Sequence, residues 1–287
     1  MQVFTSCKEA MKNCSDTKTF ALAHLYKEEK TMDMHIHDCY EIYYSISGGK
    51  QFLIDNRFYS INPGDLFIIN QYESHKITQI DKEIHERIVL SVHPDYTKKL
   101  STSDTDLDEC FSKRSSRFSH KLALSASEQQ RFLYLVGKIT ESNGYGHDLI
   151  EQAAFIELML FIATIADSAK SSAADIQKTY NPQVIDIINF INANITNSIS
   201  LETISKQFYL SESYICRIFK QACGTTINKY ITARRISIAK AALCDGVSVF
   251  DAYTESGFTD YSNFYKAFTK AVGMSPKKYS GINKAYK

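Results

Sequence analysis

Three histidines and a glutamate carry the first chemical signal in this 287-residue chain. His35 and His37 flank Ile36, Glu41 follows after three residues, and His75 comes later, behind Pro63-Gly64-Asp65. On a strand His35 and His37 would project to the same side, because side chains alternate along extended backbone. With Glu41 and His75 they could offer three imidazoles and a carboxylate to one divalent metal, a donor set that suits Fe, Mn, Ni or Zn. The same groups could equally contact a small polar effector, or be structural histidines, and the sequence leaves all three open. Tyr43, Tyr44 and Phe52 could add aromatic surface to an effector pocket, with core packing as the plainer role of each.

The second signal is a repeat. From Ser213 the order is Ser, three residues, Arg217, one residue, Phe219, four residues, Gly224, one residue, Thr226. From Ser262 the same spacing returns as Lys266, Phe268, Gly273 and Ser275. A basic helix with an inward aromatic and a glycine past its end suits a helix that enters a DNA groove, so two in one chain suggest a reader of two neighbouring groove segments. Helix spacing assigns Ile215, Ile218 and Phe219, then Phe264, Ala267 and Phe268, to inward stripes.

Elements to position these groups can be read from periodicity. Residues 35–92 are short β-rich runs broken by Gly48-Gly49, Asp55-Asn56 and Pro63-Gly64, which argues for a barrel or sandwich. Helical periodicity follows over Ser127–Thr140 and Asp148–Ala166, a pair that could cover the barrel or dimerise. Residues 169–181 are small and polar and precede Pro182, the best linker candidate. From Pro182 the pattern is helical: Ser200 and Ser211 are N-cap candidates, Gly224 a stop, Ile227–Leu243 a connecting helix, Val249–Ser256 a short one, and a last begins near Asp260 or Tyr261. At about 1.5 Å per residue the connector spans roughly 25 Å, enough with its flanks to hold two groove helices about one DNA turn apart.

Residues 182–287 hold 13 Lys or Arg against 7 Asp or Glu, a net +6, while residues 1–181 carry 20 against 25, a net −5. Only the C-terminal part is therefore suited to a polyanion. Seven scattered cysteines without a C-x-x-C pair point to reduced thiols rather than a zinc ribbon or disulfide framework. The chain starts without an apolar leader and no later segment reads as a membrane span, so a cytoplasmic protein with no membrane partner is expected.

The run from Ala241 to Tyr279 strongly resembles the signature of the AraC/XylS family of bacterial transcription regulators, through Gly257-Phe258, Asp260, Ser262, Phe264, Phe268, Gly273, Ser275-Pro276 and Tyr279. Leu201, Ile204, Ser211, Phe219-Lys220, Gly224, Tyr230, Arg235 and Ala239 extend the likeness to the first unit. Two residues depart from it: Tyr253 stands where the family usually has Ala, and Ser256 where it has an aliphatic residue. By position Ser213, Tyr214, Cys216 and Arg217, then Tyr261, Ser262, Asn263 and Lys266, resemble the family's base-contacting sites. Arg217 could grip guanine and Asn263 adenine, with Lys220, Lys229 and Lys270 on phosphates. The His35–Gly48 and Pro63–His75 stretches resemble the two motifs of the cupin barrel.

The expected architecture is α+β: a cupin-like sensor and dimerisation domain over 1–168, a linker over 169–181, and an all-α domain with two helix-turn-helix motifs over 182–287. The resemblance implies a promoter-binding regulator, an activator, governed by a small effector such as a sugar, acting as a homodimer with RNA polymerase as partner. No nucleophile–base pair or cofactor loop supports catalysis, so no enzyme and no resident cofactor are expected. A metal-dependent cupin enzyme fused to DNA-binding helices is the alternative, resting on the His/Glu set alone.

Overall fold

The structure, a computed structural model, describes residues 1–27, 34–55, 57–79, 84–112, 119–168 and 181–284. Most of the expected linker, 169–180, lies outside the described residues. The N-terminal part is two facing sheets. Six strands run in the order β1 (Val3–Phe4), β2 (Phe20–Lys27), β8 (His85–Val92), β3 (Tyr40–Ser47), β6 (Asp65–Ile69) and β9 (Lys121–Ala123). Three run in the order β5 (Arg57–Ser60), β4 (Gln51–Ile54) and β7 (His75–Gln79). Strands β1, β2, β7 and β9 were not anticipated from the sequence, nor was α1 (Cys7–Thr17), which packs on β2. Between β8 and β9 the chain forms two short helices, α2 (Pro94–Leu100) and α3 (Glu109–Ser112).

Period-two alternation sorts each strand between two cores. Tyr43, Phe67 and Val89 meet Phe52, Tyr59 and Ile77 between the sheets. Their neighbours Ile42, Tyr44, Leu66, Ile68, Ile88 and Leu90 face outward, onto α4 (Ala126–Thr140) and α5 (His147–Ser168). A full capping box starts α4: the Ser125 side chain accepts from the Glu128 amide, and the Glu128 carboxylate reaches back to the Ser125 amide. By length and composition α5 could span a membrane, contrary to the expectation of no such segment. Here Ala154, Phe155, Leu158, Met159 and Ile162 are buried against the outer core, while Leu149, Ile150 and Leu160 stay exposed.

The C-terminal part comprises α6 (Pro182–Ala193), α7 (Leu201–Phe208), α8 (Glu212–Cys223), α9 (Ile227–Cys244), α10 (Val249–Glu255), α11 (Tyr261–Val272) and α12 (Pro276–Lys284). Ser200 accepts from the Thr203 amide, Ser211 from Tyr214, Thr226 from Lys229 and Asp260 from Asn263, so α7, α8, α9 and α11 each start on a side-chain cap, as do α6 on Asn181 and α10 on Ser248. Two separate cores form. Ile187, Ile191, Ile204, Ile215, Phe219 and Tyr230 fill the first; Ile236, Leu243, Phe264, Phe268 and Tyr279 fill the second. Helix α9 contributes to both. The two departures from the family pattern are absorbed locally: Tyr253 packs on Tyr261 and Phe264, with centroids 5.4 and 5.6 Å away, and the buried Ser256 hydroxyl donates to the Tyr253 carbonyl at 2.8 Å.

Gly257 and Gly273 both have positive φ, +81° and +79°, but differ in their surroundings. A Cβ on Gly257 would lie 2.5 Å from the Ile195 carbonyl oxygen, whereas one on Gly273 meets nothing within 4 Å. Gly273→Ala should cost about 1–2 kcal/mol through left-handed backbone alone. Gly257→Ala should cost clearly more, since rigid backbone must also move; urea unfolding of the two variants side by side checks the order.

Candidate functional site

The structure gathers the four sequence-selected groups. Backbone bonds in both directions pair His35 with His75, at 3.2 and 3.1 Å, so residues 34–37 form a strap along β7. The potential donor atoms of His35, His37, Glu41 and His75 all lie within 4.8 Å of one another, and all but His35 are buried. Four ligands at about 2.1 Å from one ion stand roughly 3–4 Å apart, so small adjustments would close the set on a metal.

Two imidazoles are fixed in the tautomer a ligand needs. His37 Nδ1 lies 2.8 Å from the Cys39 carbonyl and His75 Nδ1 2.9 Å from that of Glu73. Carbonyls only accept, so each Nδ1 carries hydrogen and each Nε2 turns inward, the outer-shell arrangement typical of metal-binding histidines. His37 Nε2 is 3.0 Å from Glu41 Oε2. His75 Nε2, 3.7 Å from the same oxygen, is buried without a hydrogen-bond partner among the described residues. Burial opposes charge on His37, but Cys39 and Glu41 outweigh it and push its ionisation up to about 9. Cys14 and burial raise Cys39 itself well above the usual thiol range. Burial likewise opposes charge on Glu41, yet His75 and His37 hold it well below the usual carboxylate range.

Tyr44 does not belong to this set. It stacks on Phe132 of α4, centroids 4.6 Å apart, on the outer face of β3. Alternation from Glu41 puts Tyr43 on the interior face instead, where its hydroxyl pairs with His85 Nε2 at 2.5 Å. Ser45, on that same face of β3, and Ser91, opposite Glu41 on β8, have buried hydroxyls without a hydrogen-bond partner among the described residues.

In the helical half, Ser213, Cys216 and Arg217 of α8 and Tyr261, Ser262, Asn263 and Lys266 of α11 are exposed, as are Lys220, Lys229 and Lys270. Tyr214 is half-buried: its hydroxyl donates to Gln183 at 3.1 Å and Arg217 lies over its ring at 5.3 Å. Tyr265, exposed between Asn263 and Lys266, belongs to the same surface and was missed in the sequence. Both helices end on a glycine in left-handed backbone, Gly224 and Gly273. The geometry is that of two like helices, each with apolar residues sunk and polar ones presented.

Residues 19–159 match a family described as an AraC-like ligand binding domain, and residues 204–281 match a helix-turn-helix domain. The chain belongs to the AraC family of transcription regulators. It is similar to the melibiose operon regulatory protein of Escherichia coli K12, 23% identical over 261 residues that cover 87% of this chain and 83% of that one. YbfI, an HTH-type transcriptional regulator of Bacillus subtilis 168, is 27% identical over 231 residues, 80% of each chain. The HTH-type transcriptional activator RhaR of Shigella dysenteriae serotype 1 is 22% identical over 271 residues, 94% of each chain.

Removing the Glu41 carboxylate would leave two buried imidazoles facing one another with no anion. Glu41→Ala should therefore destabilise chelator-treated protein by about 3 kcal/mol, the scale of breaking a buried charged pair, read as a lowered urea midpoint.

Proposed function

We propose that this AraC-family regulator is an activator that reads promoter DNA through α8 and α11 and responds to a small polar effector in the barrel. The observation that carries the DNA reading is the matched pair of capped helices, each burying aromatics while presenting a cationic polar face. Base contacts are assigned to Ser213, Tyr214, Cys216 and Arg217 on α8, and to Tyr261, Ser262, Asn263 and Lys266 on α11. Lys220, Lys229 and Lys270 hold phosphates, which fix register without reading sequence. As an 18-residue helix, α9 would separate the two by about 27 Å at ~1.5 Å per residue, which suits successive groove segments.

Effector contact is assigned to His35, His37, Glu41 and His75. The Ser45 and Ser91 hydroxyls, without a hydrogen-bond partner among the described residues, support it, because buried polar groups left unbonded are rare and point to an occupant. A molecule rich in hydroxyls would satisfy them, and a melibiose operon regulator among the relatives makes sugars the first class to test. Activation follows the name of the RhaR relative. Exposed Leu133, Tyr134, Leu149, Ile150 and Leu160 on α4 and α5 supply an apolar surface for a homodimer. RNA polymerase is the partner that activation requires, and the cytoplasm is where promoter DNA is met. Nothing in this reading calls for catalysis.

Genome-wide mapping of bound sites, with and without candidate sugars, tests the reading: sites should cluster at promoters and shift in occupancy with one sugar. Arg217→Ala should cost about 1–3 kcal/mol at preferred sites and relax preference at one base position; an unaltered site profile would remove Arg217 from its role. His37→Ala should abolish the sugar response while basal DNA binding persists, measured by titrating a promoter fragment with and without sugar.

A further inference from the structure

Strand register sorts the inner face of the large sheet into layers. Ser45 of β3 stands opposite Arg87 of β8, and Leu25 of β2 flanks Arg87 on its other side. Two residues along lies an apolar layer of Ala23, Val89, Tyr43 and Phe67, with the Phe52 ring 5.2 Å from that of Tyr43. Glu41 and Ser91 face each other two residues beyond. Arg87 is thus four residues along β8 from the layer of the histidine–glutamate cluster, about 13 Å, with aromatic rings between. It is 2% exposed, and His85 and Ser45 are fully buried. Arg87 Nη1 donates to His85 Nδ1 and to the His85 carbonyl, both at 3.3 Å. A guanidinium only donates, so Nδ1 accepts and the ring hydrogen sits on Nε2, 2.5 Å from the Tyr43 hydroxyl oxygen. His85 is therefore neutral, while Arg87 keeps its charge at any working pH. The Ser45 hydroxyl has no hydrogen-bond partner among the described residues. A Cβ on Gly49 would stand 3.2 Å from His85 Nε2, so glycine is what lets that turn seat against the ring.

We propose that Arg87 and Ser45 form a carboxylate site at this end of the barrel, separate from the histidine–glutamate cluster, and that its ligand is a small sugar acid. The planar N–H fork of a guanidinium matches the two oxygens of a carboxylate, and charge-assisted bonds of that kind are the strong ones. Burying a charge beside Leu25 and Val89 is costly unless an anion or well-placed dipoles answer it, so Arg87 favours an occupant that brings an anion over one that brings hydroxyls alone. One guanidinium balances the single charge of a carboxylate, whereas a phosphate monoester carries close to two. The Ser45 hydroxyl, directly across the ladder from Arg87, supplies a further donor to the same place. His85 and the Tyr43 hydroxyl meet the hydroxyl groups that a sugar acid carries beside its carboxylate.

The test titrates the full-length chain by calorimetry with matched pairs, galacturonate against galactose and glucuronate against glucose, and with inorganic phosphate. At least one acid should bind about 100-fold tighter than its neutral counterpart, the scale of losing charge-assisted hydrogen bonds in a buried site. Arg87→Gln should bring that acid-over-neutral preference close to unity. Ser45→Ala removes a hydroxyl that bonds nothing among the described residues, so it serves if Arg87→Gln fails to fold, and it should lower the preference about 10-fold. The acid should still bind after His35→Ala, which alters the cluster at the other end. Equal affinity within both pairs, binding by neither acid, or phosphate binding tighter than the acids would each overturn the proposal. So would a preference untouched by Arg87→Gln and Ser45→Ala, or acid binding lost in His35→Ala, which would place the acid in the cluster instead.

Discussion

One helix bears the load of the molecule's two halves. Apolar residues of α9 complete both DNA-binding cores, with Tyr230 and Ile231 in the first and Ile236, Ala239 and Leu243 in the second. Its polar residues meet the barrel: the Tyr230 hydroxyl donates to the Asp55 carbonyl at 3.0 Å, Arg234 pairs with Asp55, and Lys240 with Asp38. A helix covered on three sides is a poor flexible joint. Whatever changes its seat on the barrel changes both units together, so a two-state description with α9 as the shared element is the natural one.

The sensing side obeys a comparable economy. A strap of four extended residues turns histidines to one face and apolar side chains to the other, by nothing more than the period of a strand. The Glu73 carbonyl fixes His75, while the Glu73 carboxylate accepts from His120 at 3.1 Å and His120 meets the Tyr59 hydroxyl at 2.8 Å. The cluster is therefore braced from behind by a second polar chain within the barrel. Such bracing matters because misplacing one buried donor costs its full desolvation.

Local signals made much of this legible in the sequence. Ser200, Ser211 and Gly224 are caps whose physics involves only neighbouring residues, and the repeat at Ser213 and Ser262 placed α8 and α11 in advance. The histidine set was recognisable because an i, i+2 pair needs only a strand to converge. Of the aromatics named beside the cluster, Tyr44 was misplaced, since the same rule counted from Glu41 keeps Tyr43 inside and turns Tyr44 out. Strand β7 was hidden because its interior positions begin with a histidine rather than an apolar residue. The contacts of Lys76, Asp38 and Asp55 with the helical half had no sequence signature, since long-range pairing depends on how the halves meet.

The Asp38–Lys240 and Asp55–Arg234 pairs carry a consequence for electrostatics at long range. Counted by itself the C-terminal part has a net charge of +6. In the docked arrangement two of its cations are neutralised by aspartates of the barrel, so an approaching polyanion meets +4 from that half. Release of α9 would restore the missing charge and deepen the attraction for DNA. Ionic strength would screen the exposed cations of α8 and α11 far more than these two partly buried pairs.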